Sequence, residues 1–512
     1  MSDQRTIWGH PRGLATLFFT EMWERFSYYG MRALLILFMT TAVIDGGLGF
    51  DDKTSGAIYG LYTMGVYLLA LPGGWLADRL FGLKKSVWYG GIIIALGHFT
   101  MGIPGIMKLF SGAAEQTELS VLDTNAFFLG LILIVLGTGL LKPNISTIVG
   151  QLYAPGDSKR DAGFSIFYMG INIGAFAAPL LTSSAAAYDW HLGFGLAGFG
   201  MVLGLIQYKL TSGSLEGLGE APVISTPEES ASQAKLRRIT MIIGAVLTLL
   251  VTLMFFNVIT IDASAIAGAS GTIIAVVAFA YLAYIIILGG LQSSDRKKVM
   301  AIGIVFIFSA VFWSGFEQAG STLNLFAERF TDRTMFGWEI PAGWFQSVNS
   351  TFIILFAPFF GAMWIWLAKR NLEPSSPLKF FFGLFGVAAG FFVMYFAAKI
   401  AASGDLAAPT WLIFTYLLHT WGELSLSPVG LSLMTKLAPK GYQGQMMGIW
   451  FLSVSLGNLL AGLIAGEASG GDAEALAEMP DQYLTIVLTT FGAALILLAL
   501  NKPLRKLMGD VH

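Results

Sequence analysis

Glu21-Met22-Trp23-Glu24-Arg25-Phe26-Ser27-Tyr28-Tyr29-Gly30-Met31-Arg32 sits inside an otherwise apolar run from about Leu14 to Val43. That run is long enough to span a bilayer, which takes ~20 residues. At ~100° per residue, Glu21, Arg25, Tyr28 and Arg32 fall within about 60° of one another, with Glu24 and Tyr29 flanking them. Trp23, Phe26 and Leu34 point elsewhere. A charge facing lipid costs roughly 3 kcal/mol or more, so four ionisable groups on one stripe must face protein or water. Two readings follow: a salt-bridge ladder that only packs helices, or the polar wall of a cavity whose charges move with function.

The rest of the composition agrees with a membrane setting. The 512 residues are 55% hydrophobic and only 12% charged, with a mean hydropathy of +0.69, which describes a polytopic membrane protein. The 61 glycines and 17 prolines suit helices that pack closely and break in places. A net charge of −2 and the lack of a basic tail give no reason to expect nucleic acid. With no cysteine there is no disulfide, thiolate metal site or thiol nucleophile. The first apolar run is too long and too charged for a cleaved signal peptide, and is expected to stay as a helix.

Glu21-x-x-Glu24-Arg25-Phe26-x-Tyr28-Tyr29-Gly30 resembles the first-helix signature of the proton-dependent oligopeptide transporter (POT, or PTR) family within the major facilitator superfamily. The resemblance implies an all-α fold of two six-helix bundles, in bacterial members with two extra helices between them. It covers essentially the whole chain apart from the linker and that pair.

Apolar stretches run at about 13–44, 54–79, 86–107, 126–150, 161–184 and 193–211, then 238–259 and 265–290. Six more follow, at 299–327, 343–368, 378–402, 409–437, 443–466 and 482–501, about fourteen spans of membrane length in all. Thr211 to Lys235 is the one long polar segment and reads as a solvated linker. The expected domains are a six-helix bundle at 1–211, a cytoplasmic linker at 212–237, two inserted transmembrane helices at 238–290 and a second bundle at 291–512. The inserted pair, with only Asp262 charged between Arg238 and Asp295, reads as a lipid-facing hairpin. With the N-terminus inside, 22 lysines and arginines, from Arg5 to Lys506, fall in cytoplasmic segments and 5 in outer ones. This bias puts both termini in the cytoplasm. The localisation expected is an integral, multi-pass plasma membrane protein, of the inner membrane in a bacterium. Gly73-Gly74-Trp75-Leu76-Ala77-Asp78-Arg79-Leu80-Phe81-Gly82-Leu83-Lys84-Lys85 joins spans two and three and resembles the superfamily's loop motif, a conformational latch.

Other polar residues lie within spans. Lys142, in Gly137-x-Gly139-x-x-Lys142-Pro143-Asn144, needs a carboxylate or a substrate anion nearby, and Pro143 is expected to break the helix there. By resemblance Lys142 is essential to proton coupling; without it, a structural ion pair suffices. Asn172, in Phe167-Tyr168-x-Gly170-Ile171-Asn172-x-Gly174, is either interhelical glue or, by resemblance, a donor to the substrate's peptide backbone. Phe312-Trp313-Ser314-Gly315-Phe316-Glu317 places one carboxylate in span seven, and Asn349 lies in span eight. In span ten, Glu423 and Ser427 are one turn apart on one face. Glu423 resembles the carboxylate that takes the substrate's amino terminus. Trp450 is ordinary packing or, by resemblance, a pocket aromatic, and Tyr67 matches a pocket tyrosine. Gly60 stands where mammalian members carry a histidine, which shifts the proton role onto carboxylates. His419 with Glu423 at i+4 is a weak metal signal; no metal and no cofactor is expected.

This inventory suits a zwitterion. Cations (Arg25, Arg32, Lys142) lie in the N-terminal half, and anions (Glu317, Glu423) in the C-terminal half. Tyr29, Tyr67, Trp313 and Trp450 would form tolerant walls, with Asn172, Asn349 and Ser427 as hydrogen-bonding groups. Di- and tripeptides, protons and the bilayer are the expected partners, with Glu21, Glu24, Arg25, Lys142, Glu317 and Glu423 in proton coupling. Depth pairs Arg32 with Glu317 outside and Lys142 with Glu423 inside as gates. That peptide is the substrate comes from the resemblance; nitrate or a drug-like compound is the alternative. No nucleophile, metal cluster or carboxylate dyad points to an enzyme, and no repeated charged ring points to a channel.

Overall fold

A computed structural model describes residues 6–7, 9–111, 120–154, 157, 159–256, 258–259, 262–335, 337–468 and 472–509. Arg5, counted above among the cytoplasmic cations, lies outside these residues. The helices are α1 (Arg12–Thr40), α2 (Asp52–Leu68), α3 (Ala70–Leu76), α4 (Leu83–Ser111), α5 (Val121–Gln151), α6 (Arg160–Ala186), α7 (Trp190–Thr211) and α8 (Pro227–Phe255). They continue as α9 (Ala263–Leu288), α10 (Ser293–Phe316), α11 (Thr322–Phe330), α12 (Gln346–Ala368), α13 (Ser376–Ala402), α14 (Thr410–Leu437), α15 (Gln443–Glu467) and α16 (Ala473–Met508). Strand pairing among the described residues amounts to two tiny antiparallel ribbons, Thr6–Ile7 with His10–Pro11 and Thr334–Met335 with Trp338–Glu339, and a single parallel bridge between Thr331 and Ala407.

Twelve helical stretches among the described residues are long and apolar enough to cross a membrane. The long helices α1 and α14, of 29 and 28 residues, complete the expected fourteen; their polar side chains set them apart. The chain is a multi-pass, all-α integral membrane protein.

It divides into two compact units. The first comprises residues up to Leu34, Ala42–Leu48 and Leu68–Asp262; the second comprises Leu35–Thr41, Gly49–Tyr67 and Ala263 onward. The core of the first unit gathers Leu14 and Leu17 of α1, Leu83, Val87 and Ile94 of α4, Leu141, Ile145 and Ile148 of α5, and Met201 and Tyr208 of α7. Leu215, inside the stretch read as a solvated linker, is fully buried in the same core. The chain there is tied down by Lys84 N–H to Gly219 O (3.0 Å), Gly219 N–H to Gln151 Oε1 (3.0 Å) and an ion pair between Lys84 and Glu220. A single leucine among polar residues carries little periodic signal, so the docking was invisible to pattern. From 222 to 232 the segment is mostly exposed. It leads into α8 through a reciprocal cap in which Thr226 and Glu229 serve each other's backbone.

The inserted helices differ from each other. No residue of α8 is buried, whereas α9 buries the stripe Ala267, Ile274, Ala278, Leu282 and Ile285 within the second unit.

Two backbone contacts set the packing. In the first unit, α5 runs unbroken through Pro143, contrary to the break expected there. Pro143 leaves the carbonyl of Gly139 without its helical donor, and that carbonyl faces Gly73 of α3, where a Cβ would lie 2.0 Å from it. In the second unit, α2 meets α15 so closely that a Cβ on Gly56 would lie 2.4 Å from Gly462 O. Gly60 is under the same constraint, 2.8 Å from Leu459 O, so no side chain fits where the related histidine would stand. Beyond this seam, Arg329 of α11 grips Asp52 with two bonds of 2.7 Å.

Gly462→Ala is expected to cost about 1–3 kcal/mol, the range for overpacking a tight contact, and to lower the Tm of the detergent-purified protein by several degrees. Gly492→Ala, in α16 with nothing within 4 Å of its Cβ, is expected to hold or raise the Tm, because it removes a helix glycine. Equal effects of the two would refute the close approach at the seam.

Candidate functional site

In the first unit, α1 presents its charges on one buried face. The Arg25 Nε lies 2.9 Å from Glu21 Oε1 and 2.5 Å from Glu24 Oε2. All three residues are under 5% exposed. Glu21 and Arg25 are one turn apart, while Glu24 reaches the same guanidinium from the adjacent position. The guanidinium also lies 5.4 Å from the Tyr28 ring, and Arg32 lies 5.7 Å from the Tyr29 ring, both within cation–π range. Glu21 further feels the charge of Lys142, brought in by α5. The opposite side of α1 is apolar. Met22, Trp23 and Phe26 line a cavity of about 330 Å³ with residues of α6 and α7, none of them charged.

Glycines hold α1 in register. A Cβ on Gly174 would lie 2.2 Å from Met22 O, and one on Gly170 would press on Phe18. Farther along, the Thr182 hydroxyl proton is shared between Ala178 O of its own helix at 2.8 Å and Gly30 O of α1 at 3.1 Å. Asn172, between the two α6 glycines, is buried and donates to Tyr168 O of its own helix at 2.9 Å. Composition gave no hint of a further contact: Ser27 Oγ lies 2.6 Å from His98 Nε2 of α4, both fully buried.

In the second unit, the carboxylate expected in span seven stands at a break. α10 ends at Phe316, and Glu317 opens a 3-10 turn (Glu317–Gly320) before α11. Gly315, Gly320 and Ser321 were the available signal for it. Glu317 is 4% exposed. Next to it, Gln318 donates to Ser314 O (3.0 Å) and accepts from Thr322 Oγ1 (2.8 Å), closing the turn. Glu423 of α14 and Asn349 of α12 come together: Asn349 Nδ2 donates to Glu423 Oε2 at 3.2 Å and to Thr420 Oγ1 at 3.0 Å. Thr420 was not singled out from the sequence, although it lies on the Glu423 face three residues earlier. His419 instead engages α13, with Nε2 3.3 Å from Val387 O and the ring against Phe391. Ser427, one turn beyond Glu423, is half-buried.

Of the aromatic residues, Trp450 is buried against Gly430, whose Cβ would lie 2.1 Å from the indole, and meets Phe380 edge-on. Trp313 packs between Phe312 and Phe316, its Nε1–H buried without a hydrogen-bond partner among the described residues. Tyr67 is half-buried near the end of α2. In the π-helical turn Ala77–Phe81 between α3 and α4, Asp78 and Arg79 are exposed, and the Arg79 carbonyl accepts from Gln233 of α8 at 3.2 Å.

The sequence model of the POT family matches residues 84–478. The peptide transporter YePEPT of Yersinia enterocolitica subsp. palearctica is 42% identical over 514 residues, covering 99% of this chain and 97% of its own. A di-/tripeptide transporter of Lactococcus lactis subsp. cremoris is 36% identical over 521 residues, covering 99% of each chain. Among solved structures, a variant of a peptide transporter POT in complex with alafosfalin superposes with a TM-score of 0.86 at 39% identity. It covers 99% of this chain and 98% of that one.

Arg25→Met leaves Glu21 and Glu24 buried without their shared counter-charge and is expected to destabilise the protein by about 3–5 kcal/mol, the cost of breaking a buried pair. Adding Glu24→Gln to that variant should recover part of the loss, read as Tm in detergent. Were the double variant no more stable than Arg25→Met, the arginine would be acting through packing alone.

Proposed function

The chain belongs to the POT family, and we propose that it carries di- and tripeptides across the membrane together with protons, by alternating access. The observation that carries this reading is Arg25 held between Glu21 and Glu24 in a buried face of α1. One guanidinium can bond both carboxylates but neutralises the charge of only one. Protonating either one changes which partner Arg25 holds, and the titration belongs to the cluster as a whole. Lys142 acts on the same cluster through Glu21, so a substrate carboxylate at Lys142 and a proton at the glutamates influence each other.

Arg32 and Lys142, with the aromatic side chains of Tyr29 and Tyr67, take the peptide's carboxylate in this scheme. Glu423 with Asn349 takes its ammonium, and Asn172 and Ser427 serve its backbone. Trp313 and Trp450 form apolar walls that accept varied side chains. Arg32 with Glu317, and Lys142 with Glu423, serve as alternating gates, since contacts that form in one state and break in the other are what alternating access needs. Two supports come from outside the site: relatives named as peptide and di-/tripeptide transporters along the full length, and a similar transporter solved with alafosfalin. The bacterial inner membrane is the setting this function implies.

Proteoliposomes test the reading. Wild-type protein should exchange labelled dialanine in counterflow and concentrate it when a proton gradient is imposed. Glu21→Gln and Glu24→Gln should retain counterflow while gradient-driven accumulation falls by about tenfold or more, the size of an ordinary coupling free energy. Normal accumulation in either variant would remove that carboxylate from proton coupling. A wild type without dialanine counterflow would overturn the peptide reading itself.

A further inference from the structure

Asn349 bridges α12 to the carboxylate of α14, and Thr420 and Glu423 together set its orientation. The Thr420 hydroxyl has a single proton, and it is committed to Tyr416 O at 2.7 Å. Its Oγ1 can therefore only accept from Asn349, 3.0 Å away. Glu423 Oε2, 3.2 Å from the same nitrogen, is an acceptor as well. Both neighbours thus demand the NH2 end of the amide, and its two hydrogens are both used. Asn349 Oδ1 is thereby turned away from both acceptors and left with its lone pairs for another donor. Thr420 is itself fully buried, so it acts on anything bound there only through Asn349.

We propose that Thr420 is a positioning residue for recognition of a substrate ammonium: it locks the Asn349 amide so that Oδ1 joins Glu423 as a second acceptor. The proposal rests on the reading of Glu423 and Asn349 as the amino-end pocket. An ammonium has three donors and no acceptor, so a carboxylate with a prealigned carbonyl matches it better than a carboxylate beside a rotating amide. Asn349's terminal torsion is soft, with two broad wells. Without the hydroxyl, one amide hydrogen loses its partner and the amide can turn, offering donors where acceptors are needed. Preorganisation of this kind appears as selectivity, because a ligand lacking the amino group gains nothing from it.

The test is competition of unlabelled dialanine and propanoyl-alanine, its analogue without the amino group, against dialanine counterflow in proteoliposomes. Wild type should prefer dialanine strongly. Thr420→Val keeps the side chain's shape and removes the hydroxyl. It should lower that preference about three- to tenfold, the span of one neutral hydrogen bond, with inhibition by propanoyl-alanine unchanged. Thr420→Ser should restore it, and in an Asn349→Ala background Thr420→Val should have no further effect. Thr420→Ala carries the same test if the valine variant does not reconstitute. An unchanged preference in Thr420→Val, no rescue by serine, or a full effect in the Asn349→Ala background would overturn the role of Thr420. If wild type discriminates and Glu423→Gln abolishes the discrimination, the amino-end reading stands however the Thr420 variants behave. If wild type does not discriminate, both fall.

Discussion

The first unit has to keep three ionisable groups on one helix out of lipid. Isolated in hydrocarbon, Glu21, Glu24 and Arg25 would each carry a desolvation cost that no single contact offsets. Brought onto one face of α1, at 2.9 and 2.5 Å around one guanidinium, they offset one another, but incompletely. The guanidinium balances the charge of one carboxylate and leaves the second to be offset by its surroundings. Such a face can be buried only if its helix is seated against protein along its length. Gly170, Gly174 and Thr182 provide that seat, bringing the backbone of α6 onto α1 at Phe18, Met22 and Gly30. The register of α1, and with it the position of every charge on the stripe, is therefore set by residues with no charge at all.

The same division of labour recurs at Lys142. Its helix neighbour Pro143 frees a carbonyl that a membrane helix cannot leave exposed to lipid. The free carbonyl of Gly139 lies against Gly73 of α3, a position where any side chain would collide. The glycine lets α3 cover that carbonyl, and α5 stays helical through the proline, so the lysine remains on a continuous helix. In the second unit, glycines 56, 60 and 462 play the corresponding part, letting α2 and α15 approach backbone to backbone.

The sequence displayed the spans and the charged face plainly, because both follow from single-helix periodicity. Fourteen apolar stretches are visible one at a time, and Glu21, Glu24, Arg25, Tyr28 and Arg32 declare a common face by spacing alone. Features that depend on a second helix were hidden. Leu215 gives no sign that the polar segment around it docks on α1, α4 and α5. Pro143 signals a helix break, yet the compensating glycine lies about seventy positions earlier, on α3. Gly60 looked like a missing histidine, whereas its reason is the carbonyl of Leu459 on α15. Thr420 carries no charge and occupies a helix interior where threonine usually bonds back to its own turn. It does so here, and that bond makes its oxygen a pure acceptor for Asn349. The pairing of Asn349 with Glu423 was legible as chemistry but not as a contact, since nothing in one chain tells which faces of α12 and α14 meet.

The two units hold their ionisable groups differently, and the difference bears on which can move. On α1 the glutamates sit mid-helix, their backbone fixed by intrahelical hydrogen bonds and by the packing of α6. Changing the charge there can rearrange side chains around Arg25 far more cheaply than it can bend the helix. Glu317 instead opens the 3-10 turn between α10 and α11, where fewer backbone bonds resist rotation and where Ser321 departs from helical angles, at φ −126° and ψ −91°. Broken helices are where membrane transporters concentrate backbone polarity and adjust it. Below that turn α10 is rigid and well buried, and beyond it α11 is anchored through Arg329 to Asp52. A change in the partner of Glu317 is thus delivered to a joint flanked by two fixed segments. A change in the partner of Arg25 is delivered to side chains on a rigid helix.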